Sequence, residues 1–196
     1  MEPNDIELVA LAKAAHDERA FAVLVRRHQA RLRAFLLRLC GDGARADDIA
    51  QETFIKALAG LASFRGGGSF RSWLYAIAYR EFLQDARNAK ASARLDDALK
   101  AAATQLSDSS LEAGLSLDLK RALATLEEQE RAAILLCDAA GFSHSEASAA
   151  LGAPLGTVKT HVARARRKMR DCLSGGDAVA EDPAPKPTTN GVCYVR

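Results

Sequence analysis

GTVKTHVARARRKMR, residues Gly156 to Arg170, decides how this chain is read. Six of its residues are Lys or Arg and none is acidic. Val158, Val162 and Ala165 recur at helical steps, which turns them to one inward face. The other face opens with Lys159, Thr160, His161, Ala163 and Arg164, and Arg166, Arg167, Lys168 and Arg170 follow. Just upstream, Ser143 and Glu146 have the spacing of a capping box and open SHSEASAAL, a short helix. Gly152 and Pro154 then turn the chain. Short helix, tight turn and longer basic helix make a helix-turn-helix. Such a helix fits the major groove: its early residues reach base edges, and its later cations suit phosphates.

The whole chain points the same way. It has 196 residues, enough for one large domain or two small ones. Aromatic residues are 6%, and Ala and Leu supply most of the apolar share, which favours helix over strand. The net charge is only +2, so a nucleic-acid surface must be a local patch. Phe21, Leu24, Val25, His28, Leu32, Phe35, Leu36 and Leu39 form one apolar stripe, ended by GDG at 41–43. The next helix is expected from about Asp47 to Leu61, burying Ile49, Thr53, Phe54, Ala57, Leu58 and Leu61. After the glycine loop SFRGGGSF comes FRSWLYAIAYREFLQDAR, a helix with Trp73, Ile77 and Phe82 inward. Residues 89–117, rich in Ala, Ser and Asp, read as a linker with transient helix. In LKRALATLEEQERAAILLCDAAGF, two helices are expected, the second capped by Thr125 with Glu128. The tail from Gly175 reads as disordered.

Several functions find no support. Cys40, Cys137, Cys172 and Cys193 form no close pair, which argues against disulfides and zinc. His16, His28, His144 and His161 fall in separate elements without metal or catalytic spacing, so neither an enzyme nor a cofactor is implied. The glycine loop lacks the G-K-[ST] ending of a P-loop. No apolar run approaches the roughly 18 residues of a membrane helix, and no basic-then-apolar signal opens the chain; a cytoplasmic protein is expected.

TVKTHV is similar to the output helix of LuxR-type response regulators, and a stand-alone regulator of that kind is the alternative reading. GTVKTHVARARRKMRD also resembles the C-terminal domain of bacterial sigma factors of the extracytoplasmic-function (ECF) class, as LATLEEQERAAILL resembles that domain's opening. DDIAQETFIKALAGLASFRGGGSFRSWLYAIA resembles the N-terminal ECF pattern, in the same order. Nothing in the N-terminal half alternates as a receiver domain would. The resemblance implies an all-α fold: a region 2-like domain over 1–92, a flexible linker over 93–117, a region 4-like domain over 118–174 and a tail over 175–196.

It also implies roles. Asp48, Gln51 and Glu52 share one helix face, away from Phe54 and Leu58, and would dock on the clamp helices of the largest subunit of core RNA polymerase. Phe64, Arg65 and Ser69 would stack on and bond the melted −10 element, while Arg71, Arg80 and Arg87 hold its backbone. Thr157, Lys159, Thr160, His161, Arg164, Arg167 and Lys168 would meet −35 promoter DNA. An anti-sigma factor would mask both surfaces. Tyr79 and Arg80 stand where the family often has Asn, and His161 where the reader helix usually has Arg, so no promoter sequence is implied.

Overall fold

The computed structural model of the chain describes residues 3–14, 17–99 and 117–174, and among these only helices and turns occur. In order they are α1 (Asp5–Ala14), α2 (Glu18–Cys40), α3 (Gly43–Gly60), a 3-10 turn (Leu61–Ser63), α4 (Phe70–Leu99), α5 (Leu117–Ala124), α6 (Glu128–Ile134), a π-helical turn (Leu135–Ala139), α7 (His144–Leu151) and α8 (Leu155–Leu173). The expected tail and residues 100–116 of the expected linker lie outside the described residues.

Side chains punctuate the first domain. The Asp17 carboxylate accepts the Arg19 and Ala20 N–H groups and starts α2. Gly41, at φ 74°, ends it in the left-handed conformation. The predicted stripe is buried, with Val25 half-buried at its edge. Asp42 caps α3 by accepting the Arg45 N–H at 2.8 Å, so this helix begins before the expected Asp47. Asp47 instead pairs across to Arg33 on α2, which holds its carboxyl below the usual range. Ile49, Thr53 and Ala57 face the core as expected, but Leu58 does not: it is 50% exposed. Starting at Gly43, α3 lays its buried side on α2 and α4 along 46, 49, 53 and 57, and Leu58 falls on the far side.

Helix α4 buries an unusually wide face: Phe70, Leu74, Tyr75, Ile77, Ala78, Tyr79 and Phe82. The cause is that it is packed twice, by α2 and α3 on one side and by α7 on the other. It also runs through residues 93–99, part of the expected linker; Ala, Arg and Leu there are good helix formers and no Gly or Pro stops them.

In the second domain the expected Thr125–Glu128 cap is replaced. The Thr125 hydroxyl donates back to the Ala122 carbonyl at 2.7 Å, closing α5. Glu127 occupies the cap of α6, its N–H donating to Glu130 Oε2 at 3.2 Å. The π turn carries the chain to Gly141, at φ 71°, and to the buried Phe142. Ser143 and Glu146 cap α7 reciprocally, as the sequence implied.

The two domains share a seam. The Phe142 ring lies 4.9 Å from the Tyr75 ring, and the Arg71 guanidinium sits 4.0 Å above its face. Arg71 also donates to the Gly141 carbonyl at 3.2 Å. On the other side, Arg131 of α6 donates to the Leu39 carbonyl in the last turn of α2, where a helix leaves carbonyls unpaired. Its other nitrogens bond the Leu123 and Leu126 carbonyls.

Candidate nucleic-acid and polymerase interfaces

Helix α8 is set by its turn and by its underside. Gly152 takes φ 63°, the Ser148 hydroxyl donates to the Ala153 carbonyl at 2.6 Å, and Pro154 leads into the first turn. Val158, Val162 and Ala165 are fully buried. The opposite side then presents Lys159, Thr160, Ala163, Arg164 and Arg167 around one open hollow. Thr157 is exposed in the first turn, and the Thr160 hydroxyl donates to the Gly156 carbonyl at 3.0 Å. Arg164 and Arg167 have no ion-pair partner among the described residues, so both guanidinium groups are free for an anionic ligand.

Two other predicted members of this face point elsewhere. His161 is half-buried, and its Nδ1 is buried without a hydrogen-bond partner. Lys168 donates to Glu130 Oε2 at 2.6 Å and lies 3.8 Å from Glu127. The Glu130 side chain is 2% exposed. Burial pushes its carboxyl up, but the bonds from Lys168 and the Glu127 N–H outweigh that and hold it below the ordinary range. Arg166 reaches Asp138 on the π turn at 2.7 and 2.9 Å. Two cations of the basic run therefore bind the helix to its own domain and set the rotation of the open face.

The glycine loop lies on the first domain between two fixed posts. Phe64 is 8% exposed, its ring against Trp73 at 5.2 Å and Phe70 at 6.1 Å. The Ser69 hydroxyl accepts the Ser72 N–H at 3.0 Å and caps α4. Arg65 and Gly66 to Gly68 are exposed between them. Arg80 and Arg87 project from later turns of α4, each donating its Nε to the carbonyl four residues back. Trp73 packs against the aromatic core, as its spacing implied.

On α3, Asp48, Gln51 and Glu52 are all exposed. The structure adds Ile55 and Leu58, 53% and 50% exposed on the same side, to give an acidic strip running into an apolar one. Lys56 borders it, held by Glu81 at 2.6 Å and Glu52 at 3.5 Å.

Residues 24–92 match sigma-70 region 2, and residues 116–169 match sigma-70 region 4. The ECF RNA polymerase sigma factor EcfG of Rhodopseudomonas palustris is 37% identical over 82% of this chain and 88% of its own length. The chain belongs to the ECF sigma factors. SigM of Mycobacterium tuberculosis is 34% identical, over 88% of this chain and 86% of the relative. Among solved structures, the Bartonella quintana sigma factor RpoE in complex with the anti-sigma factor NepR has a TM-score of 0.67 at 32% identity, covering 79% of this chain and 97% of that one. CnrH in complex with the cytosolic domain of CnrY has a TM-score of 0.65 at 29% identity, covering 89% and 98%.

This ECF sigma factor is thus a transcription initiation factor that binds core RNA polymerase and directs it to promoters. The region 2 match removes the LuxR-type alternative, since a stand-alone regulator has no use for a polymerase-docking domain. In the closed arrangement the α8 hollow and the α3 strip are both open. Arg71 is half-buried and engaged: its guanidinium sits over the Phe142 ring and donates to the Gly141 carbonyl of the other domain. No helix among the described residues is long and apolar enough to cross a membrane.

Proposed function

We infer that this sigma factor acts purely by binding, through three surfaces used together. The observation that carries this reading is the open face of α8, where free guanidinium groups flank a hollow of groove-facing residues. Thr157, Lys159, Thr160 and Arg164 meet the −35 element, with Ala163 at the floor of the hollow and Arg167 on the phosphates. Lys168 and His161 support this face from below. At the −10 element, Arg65 and the glycine tip contact the unpaired strand, Phe64 and Ser69 hold the two ends of the tip, and Arg80 and Arg87 track the backbone. Arg71 joins them once the domains part. On α3, Ile55 and Leu58 extend the Asp48–Gln51–Glu52 strip into a mixed acidic and apolar patch that suits a basic, amphipathic pair of clamp helices.

The site of action is where polymerase and chromosome are, the cytoplasm. The seam contacts of Arg71 also support an anti-sigma partner: a protein that holds the seam shut keeps this guanidinium on Phe142 and Gly141. The similar RpoE structure named above is of a sigma factor in complex with an anti-sigma factor, and the CnrH structure is of a complex with the cytosolic domain of CnrY.

The reading is tested by separating the surfaces. Arg164→Ala should lower transcription that depends on the −35 element and leave core binding intact. Glu52→Lys should weaken co-purification with core enzyme. If Arg164→Ala reduces core binding as much as transcription, the assignment of α8 to DNA is wrong.

A further inference from the structure

The region 2 match begins at residue 24, so α1 lies outside it. Its inner residues, Leu8, Val9 and Ala12, are buried on the domain core. Its two ends carry specific polar contacts as well. At the start, the Asp5 carboxylate accepts Arg27 at 2.6 Å and bonds the His28 ring nitrogen at 2.8 Å. Asn4 and Glu7 bond each other's N–H groups, both at 2.9 Å, and keep that end helical. At the far end, the Lys13 ammonium donates to the Phe64 carbonyl at 2.9 Å, across 51 residues of sequence.

Phe64 is the last residue before the exposed tip. Its N–H is used by the Leu61 carbonyl at 3.1 Å, and its ring by Phe70 and Trp73. The carbonyl has one partner among the described residues, Lys13. The orientation of that carbonyl is the orientation of the peptide plane leading into Arg65. Lys13 therefore fixes where the tip leaves the protein. The other post is built from Ser69, whose hydroxyl and carbonyl take the Ser72 and Trp73 N–H groups, and from Phe70, 1% exposed.

Between the posts the tip is unsupported. No hydrogen bond engages residues 65–68 among the described residues. Gly66 needs its freedom, at φ 72°. Gly67 and Gly68 do not: neither has a positive φ, and a methyl group at either would meet nothing within 4 Å. Nothing among the described residues requires them to be glycine, and their bare N–H groups are left for a ligand. A loop of this kind works only if its ends are held, because a ligand that must also order the loop loses affinity by that cost.

We propose that α1 is a strap for the −10 loop and that Lys13 is a positioning residue for promoter opening, acting through the Phe64 carbonyl. This rests on the assignment of the glycine tip to the unpaired −10 strand. Lys13→Met keeps the aliphatic stem and removes the donor. With core polymerase on a duplex promoter, permanganate reactivity of −10 thymines should then appear roughly tenfold more slowly, the loss of about one charge-assisted hydrogen bond. Lys13→Arg should restore the rate. Core binding should be unchanged in both variants, and so should the salt dependence of promoter binding, since Lys13 meets no phosphate; the melting midpoint of Lys13→Met should fall by only about 3–6 °C, leaving the protein folded at the assay temperature.

Gly67→Val serves as the companion. If it slows opening while Lys13→Met does not, the tip assignment stands and the strap is refuted. If neither slows opening, the tip assignment itself is refuted. A salt slope lowered by about one unit in Lys13→Met would mark a direct phosphate contact and would overturn the strap as well.

Discussion

Lys168→Met separates two roles for the basic run of α8. The structure gives Lys168 to Glu130, whose side chain is 2% exposed, whereas Lys168 is 35% exposed. Removing one partner of a fully buried pair costs about 3–5 kcal/mol, because a charge stays behind in a poor solvent. Water reaches the Lys168 side of this pair, so the cost here is nearer about 2 kcal/mol. For a chain of this size that lowers the midpoint of thermal unfolding by roughly 4–8 °C. Replacing Glu130 as well, in Glu130→Met/Lys168→Met, should recover most of the loss, since no unpaired charge remains. The pH dependence has a fixed sign. The folded carboxyl lies below its ordinary value of 4.5, so the pair contributes fully above that pH and fades as pH falls through the folded value. The stability of the wild type relative to the double variant should therefore fall only below about pH 4.5. Thermal melts by circular dichroism, paired with −35 binding at several salt concentrations, decide the matter. An unchanged midpoint together with a salt slope reduced by about 0.9 would make Lys168 a phosphate contact and refute the pairing argument.

Three further outcomes follow from other parts of the molecule. Leu58→Asp, at a side chain 50% exposed, should leave the melting midpoint within about 2 °C yet weaken core polymerase binding at least tenfold; intact binding in a pull-down would remove Leu58 from the docking strip. Arg71→Met deletes the cation over Phe142 and the bond to Gly141, and should shift the closed-to-open ratio about five- to thirtyfold toward open, read as a longer inter-domain distance by fluorescence energy transfer; an unchanged distance would show that the seam does not depend on it. Burial pushes the Cys40 thiol up to about 11 and raises Cys137 as well, whereas Cys172 is exposed, so iodoacetamide at pH 7.5 should label Cys172 first among these three; faster labelling of Cys40 would contradict the packing around it.

The sequence carried the elements whose signals are local. The stripe from Phe21 to Leu39, the Ser143–Glu146 cap and the Gly152 turn are written in spacing and residue type, and the structure has all three. What failed depended on neighbours. Leu58 looked buried because it is Leu, but its place on α3 is three turns along from Asp48, on the face that α2 and α4 leave bare; counting from the exposed acids would have found it. Glu127 took the cap expected of Thr125 because the Thr125 hydroxyl already had a carbonyl at the end of α5. The aromatic cluster around Phe64, the partners of Arg71 and Lys168, and the reach of Lys13 are contacts between residues distant in sequence, and no periodicity encodes them. For that reason the open face of α8 was legible as a set of residue types, while the division of its cations into free and tied ones was not.

We infer that one chain carries polymerase to two promoter elements at once. Transcription in vitro with purified core enzyme, this sigma factor and a library of randomised upstream sequences tests it directly. The enriched templates should share two short motifs at one fixed separation, and neither should be selected when the sigma factor is left out. Enrichment of a single motif bound without core enzyme, or no dependence on the added protein, would contradict the account.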